Sequence, residues 1–274
     1  MQSDWQKRRF AAFCLPVIYV VRRVIINLFT NLCAMYEFKS IELLQVVREI
    51  ESLRDHTDNQ KRAIMLKNPS WDVIHDARLT IFAKVINVAN STQLALTFIG
   101  QHLLDPFWWQ NTAKEAIPSD CANIYINEFN NFTKIGFVQF VFSSIESGFR
   151  IFLRALDPTA CNNGTAEFKS IYECLLKTKL SSTPKESIEL LDLLRFIRNT
   201  IHNNGIYYSR VGTNEQVIYK GRSYQFIYSK AVDFVTWGFL ISVVRDLVDL
   251  AAQVVLDPNV VILSRTIQDP FALK

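Results

Sequence analysis

Along most of this chain apolar side chains return every three or four residues, the repeat of a helix with one face in a core. Residues 10–36 are apolar almost throughout. Over 37–55, Phe38, Ile41, Leu44, Val47 and Leu53 stand among acids and arginines, which predicts a surface helix with one buried stripe. The polar stretch 55–69 predicts the first loop; Asn68-Pro69-Ser70 ends one element, and Ser70 is placed to cap the next. Helical spacing resumes over 71–99 and breaks again over 104–121, where Trp108 and Trp109 are placed to pack one helical layer on another. Beyond that break the spacing predicts helices over 123–156, 167–180, 184–203 and 230–255. One segment departs from the pattern. Residues 215–226 carry β-prone side chains on both sides of Lys220-Gly221, the signature of a tight hairpin. The expectation is an all-α helical bundle with a small β-hairpin inserted between the last two helices. The second break divides it into an N-terminal helical region, 1–110, and a second helical domain, 111–274.

Composition agrees. Only 8 Gly and 8 Pro occur in 274 residues, so turn punctuation is sparse and the helices must be few and long. A net charge of +4 is compatible with nucleic-acid contact but far from the footprint of a dedicated binder. Cys14, Cys33, Cys121, Cys161 and Cys174 are scattered without the close pairs of a zinc site, as expected of free thiols in a reducing cytoplasm. No metal site or cofactor is expected. His75 lies between Asp72 and Asp76 without a second ligand at metal-binding spacing, His56 falls in the polar stretch, and His102 ends a helix. Gly-rich phosphate loops and the G-x-S-x-G elbow are missing from the sequence, which disfavours P-loop and hydrolase chemistry.

The apolar stretch 10–36 raises the question of a membrane. Arg22 and Arg23 sit at its middle, each costing about 2.5–3.5 kcal/mol at a bilayer centre, so no stable span is expected. Nor does a small-residue cleavage site follow it, as a secretory signal requires. A buried or partner-facing helix in a cytoplasmic protein is the expectation.

The richest chemistry lies in 190–208, LLDLLRFIRNTIHNNGIYY. Leu190, Leu194, Ile197 and Ile201 form an apolar seam. Arg195 and His202 are seven positions apart, about 20° short of two full turns, and Arg198 and Asn199 fall within about 60° of that line. A cation, an amide and an imidazole therefore project side by side, a combination suited to a phosphate with an acid/base group. Asn203-Asn204-Gly205 supplies a left-handed ending, which puts His202 in the last turn, where the carbonyl end of the helix favours a cation. A structural alternative stands beside this: helix capping by His202 and a salt bridge from Arg195 to Asp192. The hairpin, lying between this helix and the last, would project near His202. Asn203, Tyr207, Arg210 and Arg222 are candidates for substrate contact, with Tyr208 and Lys220 also in range, or else they simply decorate an exposed hairpin.

This segment resembles the HEPN family of small helical bundles, whose signature is an Arg, often followed by a polar residue such as Asn, and a His four to six residues further on. Here the match is split: Arg195 has the spacing to His202, whereas Arg198 has the polar follower, Asn199. The resemblance covers about residues 123–256. It implies metal-independent RNA cleavage, with His202 as general acid or base, Arg195 or Arg198 stabilising charge on phosphorus, and Asn199 orienting His202 or the phosphate. It further implies a homodimer whose two sites share one cleft, and a place among toxins or antiviral defence effectors, with an antitoxin or another subunit as possible partner. The alternative it allows is a non-catalytic module that holds a nucleotide or a partner with the same cluster.

Overall fold

The computed structural model describes residues 40–112, 121–160 and 167–270; the apolar stretch 10–36, with Cys14 and Cys33, lies outside them, as does Cys161. The chain is a helical bundle with one two-stranded antiparallel hairpin. In order come α1 (Ser40–Lys67), α2 (Ala77–Phe98, continued by a π-turn over Ile99–Leu103), α3 (Pro106–Thr112), α4 (Ala122–Leu156) and α5 (Phe168–Cys174, continued by a π-turn over Leu175–Lys179). Then follow α6 (Ser187–Ile201), β1 (Glu215–Tyr219), β2 (Arg222–Phe226), α7 (Trp237–Val255) and a single turn, α8 (Pro258–Val261). No helix among the described residues is long and apolar enough to cross a membrane.

Side chains from both sides of residue 110 enter one hydrophobic core. α1 and α2 run antiparallel: Leu43 lies against Gly100 at one end, and Gln93 donates to Glu51 and accepts from Arg54 nearer the other. α2 is likewise antiparallel to α4. Phe98 meets Phe129 with ring centroids 6.2 Å apart, and Gly148 of α4 sits directly against Ile81 of α2, where any larger residue would displace the isoleucine. α7 docks through Trp237, which donates from Nε1 to Asn130 of α4 at 2.9 Å. Trp109 is buried, donates to the Leu103 carbonyl at 2.7 Å and stacks on Tyr125, joining the end of α2 to α4.

Three boundaries differ from the sequence expectation. The polar stretch 55–69 is not a loop; α1 runs through it to Lys67. Its buried positions are Leu43, Val46, Ile50, Leu53, Thr57 and Ile64, a seam one position off the expected stripe, and Leu44 is exposed. The polar residues between them occupy the other faces: His56 and Gln60 both reach Asp249 of α7, at 2.7 and 3.1 Å, and Arg62 pairs with Asp58. α2 is capped by Asp76, not Ser70, and the last long helix starts at Trp237, not at 230, because Thr236 caps it and the preceding residues are spent on the hairpin side. The hairpin turn is as expected: Lys220 and Gly221 both have positive φ, 48° and 72°, and Tyr219 pairs with Arg222.

A buried ion pair closes one end of the bundle. Arg78 and Asp76, with side chains 1% and 0% exposed, form a two-pronged contact at 2.9 and 2.6 Å. Arg78 also donates to the carbonyls of Val260, Leu263 and Arg265, and Trp71 lies 3.8 Å from its guanidinium. Removing Asp76 would strand a buried cation and uncap α2. Asp76→Ala is therefore expected to cost about 3–5 kcal/mol in urea unfolding, with Asp76→Asn, which keeps the cap, costing less.

Candidate functional site

α6 exists because its sequence is two-faced. Leu190, Leu191, Leu193, Leu194 and Ile197 are buried, and Thr200 is buried with its hydroxyl donating back to the Ile197 carbonyl at 2.7 Å. The helix ends in a Schellman arrangement: the Gly205 amide donates to Thr200 O at 2.9 Å and the Asn204 amide to Ile201 O at 3.3 Å. Asn204 and Gly205 both have positive φ, 53° and 84°. Helical backbone persists through His202, with φ −65° and ψ −13°.

The two arginines differ in surroundings. Arg195 turns toward α5, where it donates to Asp192 Oδ1 from Nη2 at 2.9 Å and from Nε at 3.2 Å. The same carboxylate oxygen accepts the Tyr172 hydroxyl at 2.6 Å. Burial works against the charge on Arg195, but Asp192 and Tyr172 together hold the guanidinium above its usual range. Burial, reinforced by Asp192, pushes the Tyr172 phenol up. The salt bridge anticipated between Arg195 and Asp192 is thus present, and its guanidinium also lies 4.2 Å from the Phe196 ring.

Arg198 turns instead toward α4. Its Nη1 approaches Glu146 only to 3.8 Å, and that carboxylate is already held by Arg150 at 2.6 Å. Its Nε is buried and has no acceptor. His202 lies four positions beyond Arg198, one turn along the same side of the helix, and is exposed. Asn199 is also exposed. The edge therefore carries a locked cation, a cation with spare donors, an amide and an open imidazole.

The substrate-contact candidates are spread over the surroundings. Asn203 is exposed and donates from its amide to the Asn199 carbonyl at 3.3 Å. Tyr207 is 3% exposed: its ring packs on Phe196 and Phe226, joining hairpin to α6, and its amide donates to Lys230 O. Burial and the Glu215 carboxylate raise the Tyr207 phenol, with Arg195 opposing. Arg210 extends into solvent and pairs with Glu167 at 3.1 Å. Arg222 opens β2 and is exposed at the mouth of a cleft between the hairpin and α7.

His75 accepts or donates at Asp72 over 2.8 Å, and His102 packs on Phe98 with centroids 5.0 Å apart. Among the described residues no cluster of three His, Cys, Asp or Glu is placed to hold a metal ion, and Cys121 and Cys174 are free thiols. Sequence reasoning missed the Tyr172–Asp192–Arg195 network in one respect: nothing marks Tyr172 in the sequence, because its role arises only when α5 packs on α6. Neither family models, curated proteins nor solved structures yield a match to this chain.

The contrast between the locked and the open side of the edge is measurable. Asp192→Asn and Tyr172→Phe are expected to lower stability by about 1–3 kcal/mol in urea unfolding. His202→Ala, which removes an exposed ring, should stay within about 0.5 kcal/mol of wild type.

Proposed function

We propose that the outer edge of α6 is the cleaving site of a metal-independent ribonuclease of HEPN type, working as a homodimer. The observation that carries this reading is Arg198, a guanidinium with an unpaired Nε one helical turn before an exposed imidazole. Between the two arginines of the split signature, Arg195 is committed to Asp192 and Tyr172, which assigns the phosphate to Arg198 and a positioning role to Arg195.

The chemistry follows from the groups present. A ribose 2′-hydroxyl loses its proton to a neutral imidazole and attacks phosphorus; the O2′–P bond forms as the P–O5′ bond breaks, and the departing O5′ takes a proton from an imidazolium. The products are a 2′,3′-cyclic phosphate and a 5′-hydroxyl. One histidine cannot be acid and base in the same step, so His202 and its equivalent in a second copy share the two roles. Arg198 donates to the phosphoryl oxygens as charge builds on them, and Asn199 orients the phosphate or the ring. A second copy also has somewhere to dock: α4, the helix that carries Glu146 beside Arg198, exposes Phe132 (72%) and Phe140 (65%).

Purified protein incubated with total RNA in chelator, followed by end-group analysis, tests the reaction. Wild type should generate cyclic-phosphate ends, and His202→Ala and Arg198→Ala should each be slower by about 10²-fold or more. Cleavage that needs a metal, or that His202→Ala leaves intact, overturns the reading; RNA or nucleotide affinity lost in His202→Ala without cleavage by either protein identifies a binding module instead. Replacing Phe132 and Phe140 together by Glu should give a folded monomer in sedimentation that no longer cleaves.

A further inference from the structure

The hairpin does not lie flat on α7. Between β2 and the first turns of that helix runs a cleft of about 950 Å³, at the upper end of the range of small-molecule sites. Tyr224, Phe234 and Phe239 line it, with ring centroids 5.1–5.4 Å apart, and all three are half-buried, so part of each ring remains open. Ser223, Gln225 and Ser242 add neutral hydrogen-bonding groups. At the inner end Asp246 accepts from the Tyr219 hydroxyl at 2.8 Å and from Lys220 Nζ at 2.7 Å, which uses the charge of Lys220 within the protein. Arg222 at the mouth has no ion pair among the described residues. Gly238 contributes bare backbone to the wall, and a Cβ there would meet nothing within 4 Å.

We infer that this cleft seats an unpaired nucleobase of single-stranded RNA, with Arg222 on the adjoining phosphate. Aromatic rings take any base by stacking, and neutral amide and hydroxyl groups suit base edges. A guanidinium without a carboxylate partner suits a phosphate. An aliphatic or lipid ligand fits poorly, since Asp246 and Asp233 both line the cleft. The location connects it to the α6 edge. Ala231 and Asp233 flank Val232, whose amide donates to Gly205 O at 3.0 Å, and Ala231 pairs with Ile206. One wall of the cleft is thus bonded to the segment that leaves α6 just after His202. The assignment rests on the reading of that edge as an RNA-cleaving site and adds where the strand is held.

Gly238 allows a clean test, because it has space for a side chain and an ordinary φ. Glu at this second position of α7 also suits the helix start, so Gly238→Glu should melt no lower than wild type. Binding is measured by anisotropy of fluorescein-labelled oligouridine, in a His202→Ala background so that nothing is cut. Gly238→Glu should weaken binding at least tenfold and Gly238→Ala less than twofold, while Arg222→Ala should weaken it and flatten its salt dependence. Equal affinity with and without Gly238→Glu, no binding of oligouridine by the parent, or an equal loss with duplex RNA each overturns the inference. The two readings fail separately. RNA cleavage that survives Gly238→Glu with unchanged KM removes the cleft and keeps the α6 site; selective loss of single-strand binding in a protein that never cleaves does the reverse.

Discussion

All five guanidinium N–H groups of Arg78 find acceptors inside the protein: two on Asp76 and three on the carbonyls that follow α7 and α8. A charge this deeply buried is costly unless every donor is satisfied, and here the satisfaction is what ties separate parts of the chain together. Lysine has neither the planar fork nor enough donors to replace it. The same C-terminal segment is bonded a second time to α2, through Asp269, which accepts from Thr80 at 2.5 Å and pairs with Lys84 at 2.6 Å. On its other side Asp257 accepts from the amide and hydroxyl of Ser181, and Asn259 donates to Lys179 O. The strap therefore relates the start of α2 to the connection that leads into α6. The position of the functional edge relative to the core is set from there.

From that anchored start, α6 distributes its polar residues by helical phase alone. Arg195 and Arg198 lie about 60° apart around the helix. That is enough for one to meet Asp192 and Tyr172 against α5 and the other to face Glu146 and Phe142 on α4. Phe196, between them, supports the hairpin through Phe226 and Tyr207. The hairpin is thus held by rings at one end and by the Asp246 bonds at the other, and the cleft is the space those two attachments leave between them.

Much of this was legible in the sequence where local rules decide. The seam of Leu190, Leu194 and Ile197, the left-handed ending at Asn204 and Gly205, and the turn at Lys220-Gly221 each follow from the preferences of a few adjacent residues. Misreadings arose where tertiary partners decide. The polar run after Asp55 looks like a loop until α7 supplies Asp249 for His56 and Gln60, which makes polar residues the proper occupants of a helix face. Arg78, in the sequence, is one arginine before an apolar run; only the C-terminal carbonyls make it a core residue. The cleft was invisible for the same reason, since Tyr224 and Phe239 are far apart in the chain and meet only when the hairpin folds back.

What separates the α6 edge from ordinary surface is the uneven account the fold gives of its two arginines. Arg195 is fully explained by structure: it neutralises Asp192, which in turn holds Tyr172 at the junction of two helices. Arg198 is not. Its guanidinium lies 5.3 Å from the Phe142 ring and its stem could be matched by an aliphatic side chain, yet it keeps a buried Nε–H without an acceptor. An unsatisfied buried donor costs about 1–3 kcal/mol, and the distant contact with Glu146, shared with Arg150, offsets little of that. A residue whose charge the fold tolerates at a loss, placed one turn from an open imidazole, is explained by a ligand that supplies the missing acceptor. A phosphate oxygen does so.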